Sequence, residues 1–588
     1  MKARIKSLTL LILPALLLGV SSCSLNALDS FTKKIDVIDI DNTKSNNKSD
    51  LVVGQVELRF KKDQEYIPYI TVSDYASLYD FHMAEGAYSK VSKRGSLITW
   101  TAYKDEGLYF ISQINLEKKT VMVGGSLEAT YKDDDNPLDT KSLFWGNNTQ
   151  YDGFYLKNSP YATYKFDQFY FEPITFLGNT YLPLGFLDMT YSSDSSIYFH
   201  YNYDSVYSTR TVENYFTRQF YNGKTNTTVS QEMISAKSDN VMPEYLKEFN
   251  VGSFMYLLDN FYGLKEYKNY TSGVEYCKSI NVYDSLFSDN GAVRAQAYAD
   301  ALSKFDDNHT ALVAAPEAWG EQSFITRQYG QNCKNRSSIR NSLYALRQEH
   351  TSESYRNYDE ILYSDDGKTA MLFFDSFVFG TTEQVFNKDN SLKDDAKYYD
   401  SFIYLFKAFS EIKDKGGVEN VILDMSTNGG GVLGVLMKLL ALLSSDNKGN
   451  LYYLEAATSQ IGIATTQVDI NDDKVCGLDD CFGDDFNFYL LTSDCSFSCG
   501  NAFPCLAQIE GIAKVIGTKS GGGECAVGTH FLPNGEYVYH SSNLHLGYYN
   551  EEKEEFTGFE SGAQPDIVLN SYSDFYSINT LASYISNQ

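Results

Sequence analysis

Two short apolar runs, each closing on a glycine-rich turn and each followed by an apolar helical stretch, limit what this chain can become. Residues Val418 to Met425 (VENVILDM) and Phe486 to Leu491 (FNFYLL) lack a polar-apolar alternation. As strands they therefore bury both faces, as strands of a largely parallel sheet do. The first run opens into STNGGG, Ser426 to Gly431, and then VLGVLMKLLALLSS, a buried helix; the second opens into TSDCSFSCGNAF and a further helical stretch, CGNAFPCLAQIEG. Pro504 is expected in the first turn of that helix, where its missing N–H costs nothing. Upstream, TAMLFFDSF reads as a strand and KYYDSFIYLFKAFSEIKDK as an amphipathic helix with Phe402, Leu405, Phe406 and Phe409 on one face. Strands alternating with helices give an α/β layer.

The turns carry the chemistry. Gly429, Gly430 and Gly431 have no Cβ and can take positive φ, so their amides can approach a ligand closely. The helix behind them adds the positive end of its dipole, which makes the turn an anion site. Ser498 sits at the second strand-to-helix corner, where a serine exposes its hydroxyl and the next amide, that of Cys499, is free to hold an oxyanion. Alone, the glycine triplet reads as a tight connection and the serine as a turn residue. Their joint occurrence in one α/β layer makes acyl transfer the better reading.

In order along the chain, VILDMSTNGGG, SFSCGN, IAKVIGTKSGGG, FLPNGEYVYHSS and FESGAQPDIVL resemble the ordered motifs of the S41 serine peptidases, from about Tyr256 to Asn570. The resemblance implies a crotonase/ClpP-like protease core, with Ser498 as the nucleophile. In the processing-peptidase branch a lysine of the glycine loop is the base. Gly523 stands at that position here, with Lys519 as a fallback if the loop is shifted. The tricorn-like branch resembles a serine, histidine and glutamate arrangement. For it the chain offers His309 in DDNHT and Glu560 in FESGAQPD. A histidine is the sensible base at neutral pH, and a carboxylate orients it. The expected catalytic set is Ser498, His309 and Glu560, with an oxyanion hole from the amides of Gly430 and Cys499 and with Gly429 able to exchange roles with Gly430. The plain alternatives are that His309 caps a helix-loop junction and that Glu560 belongs to a solvated loop beside EEKEE. His530, His540 and His545 lie in a hairpin pattern and read as surface or cross-strand residues. Asn501 stands where the family often has glutamate.

The N-terminus sets the compartment. MKARIKSLTLLILPALLLGVSSC has basic residues, an apolar stretch and small residues before Cys23, the layout of an export signal, and its ending resembles a bacterial lipobox. Lipidation at Cys23 would anchor the mature protein to the membrane, in the bacterial cell envelope and facing outward. The expected organisation is a signal peptide (1–22), a flexible tether (23–50), a β-rich N-terminal adaptor region (51–208), a helical subdomain (209–310) that delivers His309, and the α/β catalytic core (311–588). Within the adaptor region, EYIPYITVSDYASLYDF and NTYLPLGFLDMTYSSD repeat a strand-then-helix pattern. The stretch 311–360 is too short for an inserted PDZ domain.

A formal charge of −27 excludes nucleic acid and polybasic docking to anionic lipid. Of nine cysteines, six (Cys476, Cys481, Cys495, Cys499, Cys505 and Cys525) lie around Ser498. In an exported chain they read as disulfides stapling the site loops. A zinc site is the alternative, but no histidine is interleaved and Cys-x-x-Cys spacing is absent, so no metal and no cofactor is expected. Cys499 as nucleophile would need the turn shifted by one residue. Two functions follow: a surface-anchored serine endopeptidase acting on proteins or peptides, or a non-catalytic lipoprotein that keeps the fold to bind peptides or apolar ligands.

Overall fold

The computed structural model describes residues 30–125, 148–155, 161–237, 240–316, 319, 324–326, 328–350, 360–389, 391–471, 473 and 475–587. The signal peptide and Cys23 lie outside the described residues. Among these residues, no helix is long and apolar enough to cross a membrane.

The chain is a mixed α/β protein. Its core sheet runs in the order Leu362–Tyr363, Thr369–Phe373, Asn420–Asp424, Asn487–Thr492, Ala513–Gly517, Ile567–Val568, and every pairing after the first is parallel. The central strands are buried along almost their whole length, which is why they read as unbroken apolar runs. The crossovers carry helices Ser401–Lys415, Leu433–Leu443 and Cys499–Ile509. On the first, Phe402, Leu405 and Phe409 are buried and Phe406 is half-buried, as its pattern predicts. The helix Cys499–Ile509 begins earlier than expected and keeps Pro504 in its interior.

A second sheet packs strands from distant parts of the chain. The long strand Tyr537–Asn550 pairs with Ala311–Pro316, with Gly449–Glu455, with Cys525–Phe531 and with Glu555–Gly558. Gln460–Gln467 pairs with Gly449–Glu455 on one side and with Asn148–Tyr155 on the other.

The N-terminal region holds a five-stranded meander from Tyr88–Arg94 to Ala162–Lys165 and a seven-stranded sheet. The two strand-then-helix segments lie side by side in the latter. Gln64–Thr71 leads into helix Val72–Tyr79, Asn179–Pro183 leads into helix Leu184–Ser195, and the two strands pair antiparallel. Two expectations are corrected here. The proposed tether contains strand Ser30–Asp39, which lies inside the seven-stranded sheet between Val52–Lys61 and Val206–Thr209; Ile35 and Val37 join one apolar cluster and Ile38 another. Nor does the boundary at 208/209 separate cores. One continuous apolar cluster runs from Ile35 through the helices Glu244–Asn260 and Gly291–Ser303 to Phe305, and takes in Cys525, Leu532 and Val538.

Candidate active site

Parallel pairing of Asn420–Asp424 with Asn487–Thr492, register Asp424 to Leu491, brings both glycine-rich turns out at the same edge of the sheet. Hydrogen bonds then stitch one turn to the other. Ser493 Oγ donates to the Ser426 carbonyl (2.5 Å), Ser496 Oγ to that of Met425 (2.7 Å), and the Phe497 amide to that of Asn428 (3.0 Å). Gly500 is needed because a Cβ there would strike the Asn428 carbonyl.

Ser498 occupies the N-cap of helix Cys499–Ile509 with φ 59° and ψ −127°, a conformation a residue with a Cβ rarely takes. Such strain costs about 1–3 kcal/mol and persists only where neighbours over-determine it. Here the Ser498 amide donates to the Gly522 carbonyl (3.0 Å), and the Ser498 carbonyl accepts from the amides of Asn501 and Ala502 (both 2.8 Å). The side chain is half-buried and its hydroxyl makes no hydrogen bond among the described residues.

Gly430, at φ 103°, lies against this turn. An added Cβ would sit 2.7 Å from Ser498 Cβ and 3.0 Å from the Cys499 nitrogen. The Gly430 N–H is already engaged, donating to Asn428 Oδ1 (2.9 Å), whose amide nitrogen donates to the Phe374 carbonyl (2.9 Å). Gly429 and Gly431 are exposed on either side, and their amides make no hydrogen bond among the described residues. The Cys499 N–H, first in its helix, has no intrahelical partner.

His309 follows helix Gly291–Ser303 and precedes strand Ala311–Pro316. Its ring lies 4.7 Å from the ring of Phe497, the residue before Ser498. Asp307 fixes the segment: Oδ1 accepts from the His309 amide (3.0 Å), and Oδ2 accepts from Thr310 Oγ1 (2.6 Å) and Ser541 Oγ (2.7 Å). Arg336 covers the same ring, its guanidinium 4.9 Å from the Phe497 centroid, while it pairs with Asp494 (3.2 Å) and donates to the Gly521 carbonyl.

His309 thus packs on the ring of the residue before Ser498, but no Ser498–His309 hydrogen bond of a working dyad is made among the described residues. Glu560 takes a different place. Its Oε2 accepts from the amides of Gly523 (3.1 Å) and Glu524 (3.0 Å), so it holds the glycine loop and not the imidazole. Burial pushes its carboxyl up to about 7, with neighbouring Asp307 and Glu524 adding to the rise against those two amides. Lys519 is exposed and makes no hydrogen bond or ion pair among the described residues. Gly523 has φ 86° and faces the Phe497 ring, which leaves no room for a lysine side chain. Asn501 is a structural tie, donating to the Phe559 carbonyl (2.9 Å) and accepting from Ser520 Oγ (2.7 Å).

The expected disulfides are not present. None of the six cysteines around Ser498 is in a disulfide; the thiols of three of them point to separate partners, Cys499 to the Gly431 carbonyl, Cys495 to that of Arg336 and Cys505 to Asn501 Oδ1. Burial pushes the Cys499 thiol up to about 12, so it is no nucleophile at neutral pH. His530 and His540 are cross-strand residues but are buried, not at the surface, and bond each other through Nδ1 and Nε2 (2.9 Å). Burial holds the His540 imidazole near 4 and that of His530 well below the usual range, so both are neutral. Sequence reasoning missed Asp307, Asn428, Phe497 and Arg336. Asp307 was readable in D-x-H-T; Arg336 lies far from Ser498 in sequence and had no signal.

Residues 399–569 match the sequence model of peptidase family S41. A search of curated proteins finds no match. Among solved structures, mature CPAF complexed with lactacystin is 12% identical, with 58% of this chain and 97% of that chain covered and a TM-score of 0.35. A lipoprotein from Streptococcus agalactiae is 12% identical (53% and 88% covered, TM-score 0.31). The photosystem II D1 C-terminal processing protease is 14% identical (34% and 42% covered, TM-score 0.24).

Proposed function

We propose that this chain, with its peptidase family S41 domain at residues 399–569, is a serine endopeptidase that cleaves extracytoplasmic proteins or peptides through an acyl-enzyme. The observation that carries this reading is the strained, half-exposed Ser498 at a helix start, beside Gly430 and next to the ring on which His309 packs. Ser498 Oγ attacks the scissile carbonyl carbon as its proton passes to His309. The developing oxyanion takes the Cys499 N–H and the Gly429 N–H, Gly430 being held by Asn428. The imidazolium then protonates the leaving amine as the C–N bond breaks. Water, activated by the neutral imidazole, hydrolyses the ester. For attack the Ser498 side chain closes onto the imidazole, since catalytic hydrogen bonds tighten on substrate binding. In this scheme Glu560 acts through the loop, keeping the Gly522 carbonyl on the Ser498 amide. The lipobox-like ending at Cys23 supports anchoring of the enzyme to the outer face of the cell membrane.

A second reading, a binding lipoprotein without turnover, is favoured by one observation, that the Glu560 carboxylate bonds the amides of Gly523 and Glu524 and not the His309 ring. The two are separated by casein hydrolysis and labelling with a serine-directed phosphonate. On the first reading both occur with the wild-type protein and Ser498→Ala abolishes both. Labelling that persists in Ser498→Ala removes Ser498 from the mechanism, and a folded wild-type protein that binds casein without cleaving it leaves the second reading.

A further inference from the structure

Strand Cys525–Phe531 pairs with Tyr537–Asn550 through a register shift: Val527 lies opposite Ser541, but Cys525 lies opposite His545. Such a bulge re-aims side chains. Here it places Cys525 Sγ 3.7 Å and Glu524 Oε1 2.7 Å from His545 Nδ1, and the three donor atoms all lie within 4.8 Å of one another. Cys525 and Glu524 are buried and the His545 side chain is 13% exposed. The surroundings are rich in acid. Glu524, Asp307 and Glu560 lie within electrostatic reach of Cys525, and Asp307 and Glu524 within reach of Glu560. Among the described residues, no lysine or arginine pairs with Asp307, Glu524 or Glu560, and the only ion-pair partner in the group is His545.

We propose that Glu524, Cys525 and His545 form a binding site for one borderline-soft divalent cation of the zinc type, which braces the glycine loop behind Ser498. The donor set is the argument for the ion class: a thiolate and an imidazole select zinc-like ions, while calcium and magnesium demand oxygen cages. With metal–ligand bonds of about 2.0–2.3 Å, tetrahedral ligands stand roughly 3.3–3.8 Å apart. The Sγ to Nδ1 separation already fits, and the Oε1 to Nδ1 contact opens by under about 1 Å. On binding, the thiol proton and any proton on Nδ1 leave to solvent, and the cation offsets carboxylates that now lack a counter-charge. The brace reaches the nucleophile turn through bonds in place. Glu524 Oε2 accepts from the Glu560 amide (2.8 Å), Glu560 Oε2 accepts from Gly523 and Glu524, and the Gly522 carbonyl accepts from the Ser498 amide.

The test is a cobalt(II) titration of the reduced, metal-stripped full chain, which does not depend on the hydrolase reading. The expected result is a thiolate-to-cobalt charge-transfer band in the near ultraviolet that saturates at one equivalent and is lost in Cys525→Ser. His545→Gln and Glu524→Gln should weaken binding by at least about tenfold. Because a buried thiol is replaced in one variant, zinc is also tested through stability: it should raise the unfolding midpoint of the wild-type protein and not that of His545→Gln, with magnesium and calcium inert. No cobalt band, a band that survives Cys525→Ser, or a wild-type midpoint indifferent to zinc overturns the proposal.

Discussion

At Ser498 the backbone and the chemistry ask for different residues. The turn at φ 59° and ψ −127° is one glycine adopts freely, yet a hydroxyl is required, so the chain carries the strain and fixes it with bonds to Gly522, Asn501 and Ala502. Replacing Ser498 by glycine should therefore raise stability, by about 1 kcal/mol once the extra freedom of glycine in the unfolded chain is deducted. Ser498→Ala keeps its Cβ and should gain nothing. Calorimetric midpoints of the two variants decide the point, and a Ser498→Gly midpoint at or below that of Ser498→Ala would show that the turn stores no strain. Stability bought by losing the nucleophile is the expected pattern where a site is built at the expense of the fold. At this scale the sequence was informative where a role is local. Ser498 and the glycine triplet announce themselves by their neighbours, whereas the seat of Glu560 on two amides depends on where a loop 36 residues upstream comes to rest.

Among the elements, helix Gln331–His350 helps to hold the glycine turn in place through Arg347. It is polar overall, and only one stripe, with Leu343 buried, meets the sheet. Through it Arg347 makes two hydrogen bonds to Asp375 (3.0 and 2.9 Å), pairs with Asp424 (2.7 Å) and reaches Thr427 Oγ1 (3.0 Å). Arg347 and Asp424 are fully buried. Burial works against the guanidinium charge, but Asp424 and Asp375 outweigh it and the group stays ionised. Removing one member leaves carboxylates buried and unpaired, so Arg347→Met should cost about 3–5 kcal/mol. The loss should appear in urea unfolding midpoints, and a change under about 1 kcal/mol would mean that Asp375 and Asp424 find solvent or protons at little cost. The strands that Arg347 pins were legible, because burial on both faces leaves a continuous apolar run. The helix itself was not, since its partners Asp375 and Asp424 are remote and its own pattern is that of a solvated segment.

Over the whole molecule, what looked like successive modules is one interlocked body. The adaptor region reads as separate because its composition differs, and composition is blind to strands that pair across hundreds of residues. Asn148–Tyr155 completes the sheet of Gln460–Gln467 over eight register positions. The Tyr203 hydroxyl donates to Asn534 Oδ1 (2.9 Å), the Asn250 side chain bonds Glu536 (3.2 Å), and His530 Nε2 bonds the Met189 carbonyl (3.0 Å). The same reasoning explains the misread tether. Ile35, Val37 and Ile38, interrupted by Asp36, form a short strand signal whose partners, Val52–Lys61 and Val206–Thr209, become visible only once the sheet is assembled. The strand carrying His545 thus rests, through Val538, against a core supplied partly by residues 30–208. A fragment spanning 209–588 would expose the faces of Phe249 and Tyr256 that Phe169, Phe171 and Phe186 cover, together with the rest of the shared cluster, a patch beyond what a soluble monomer tolerates. It should aggregate, or stay in solution only in a form that binds a hydrophobic dye and has lost its near-ultraviolet dichroism. A monomeric 209–588 fragment with native dichroism and phosphonate labelling equal to that of the full chain would refute the shared core and return the N-terminal region to the status of a detachable adaptor.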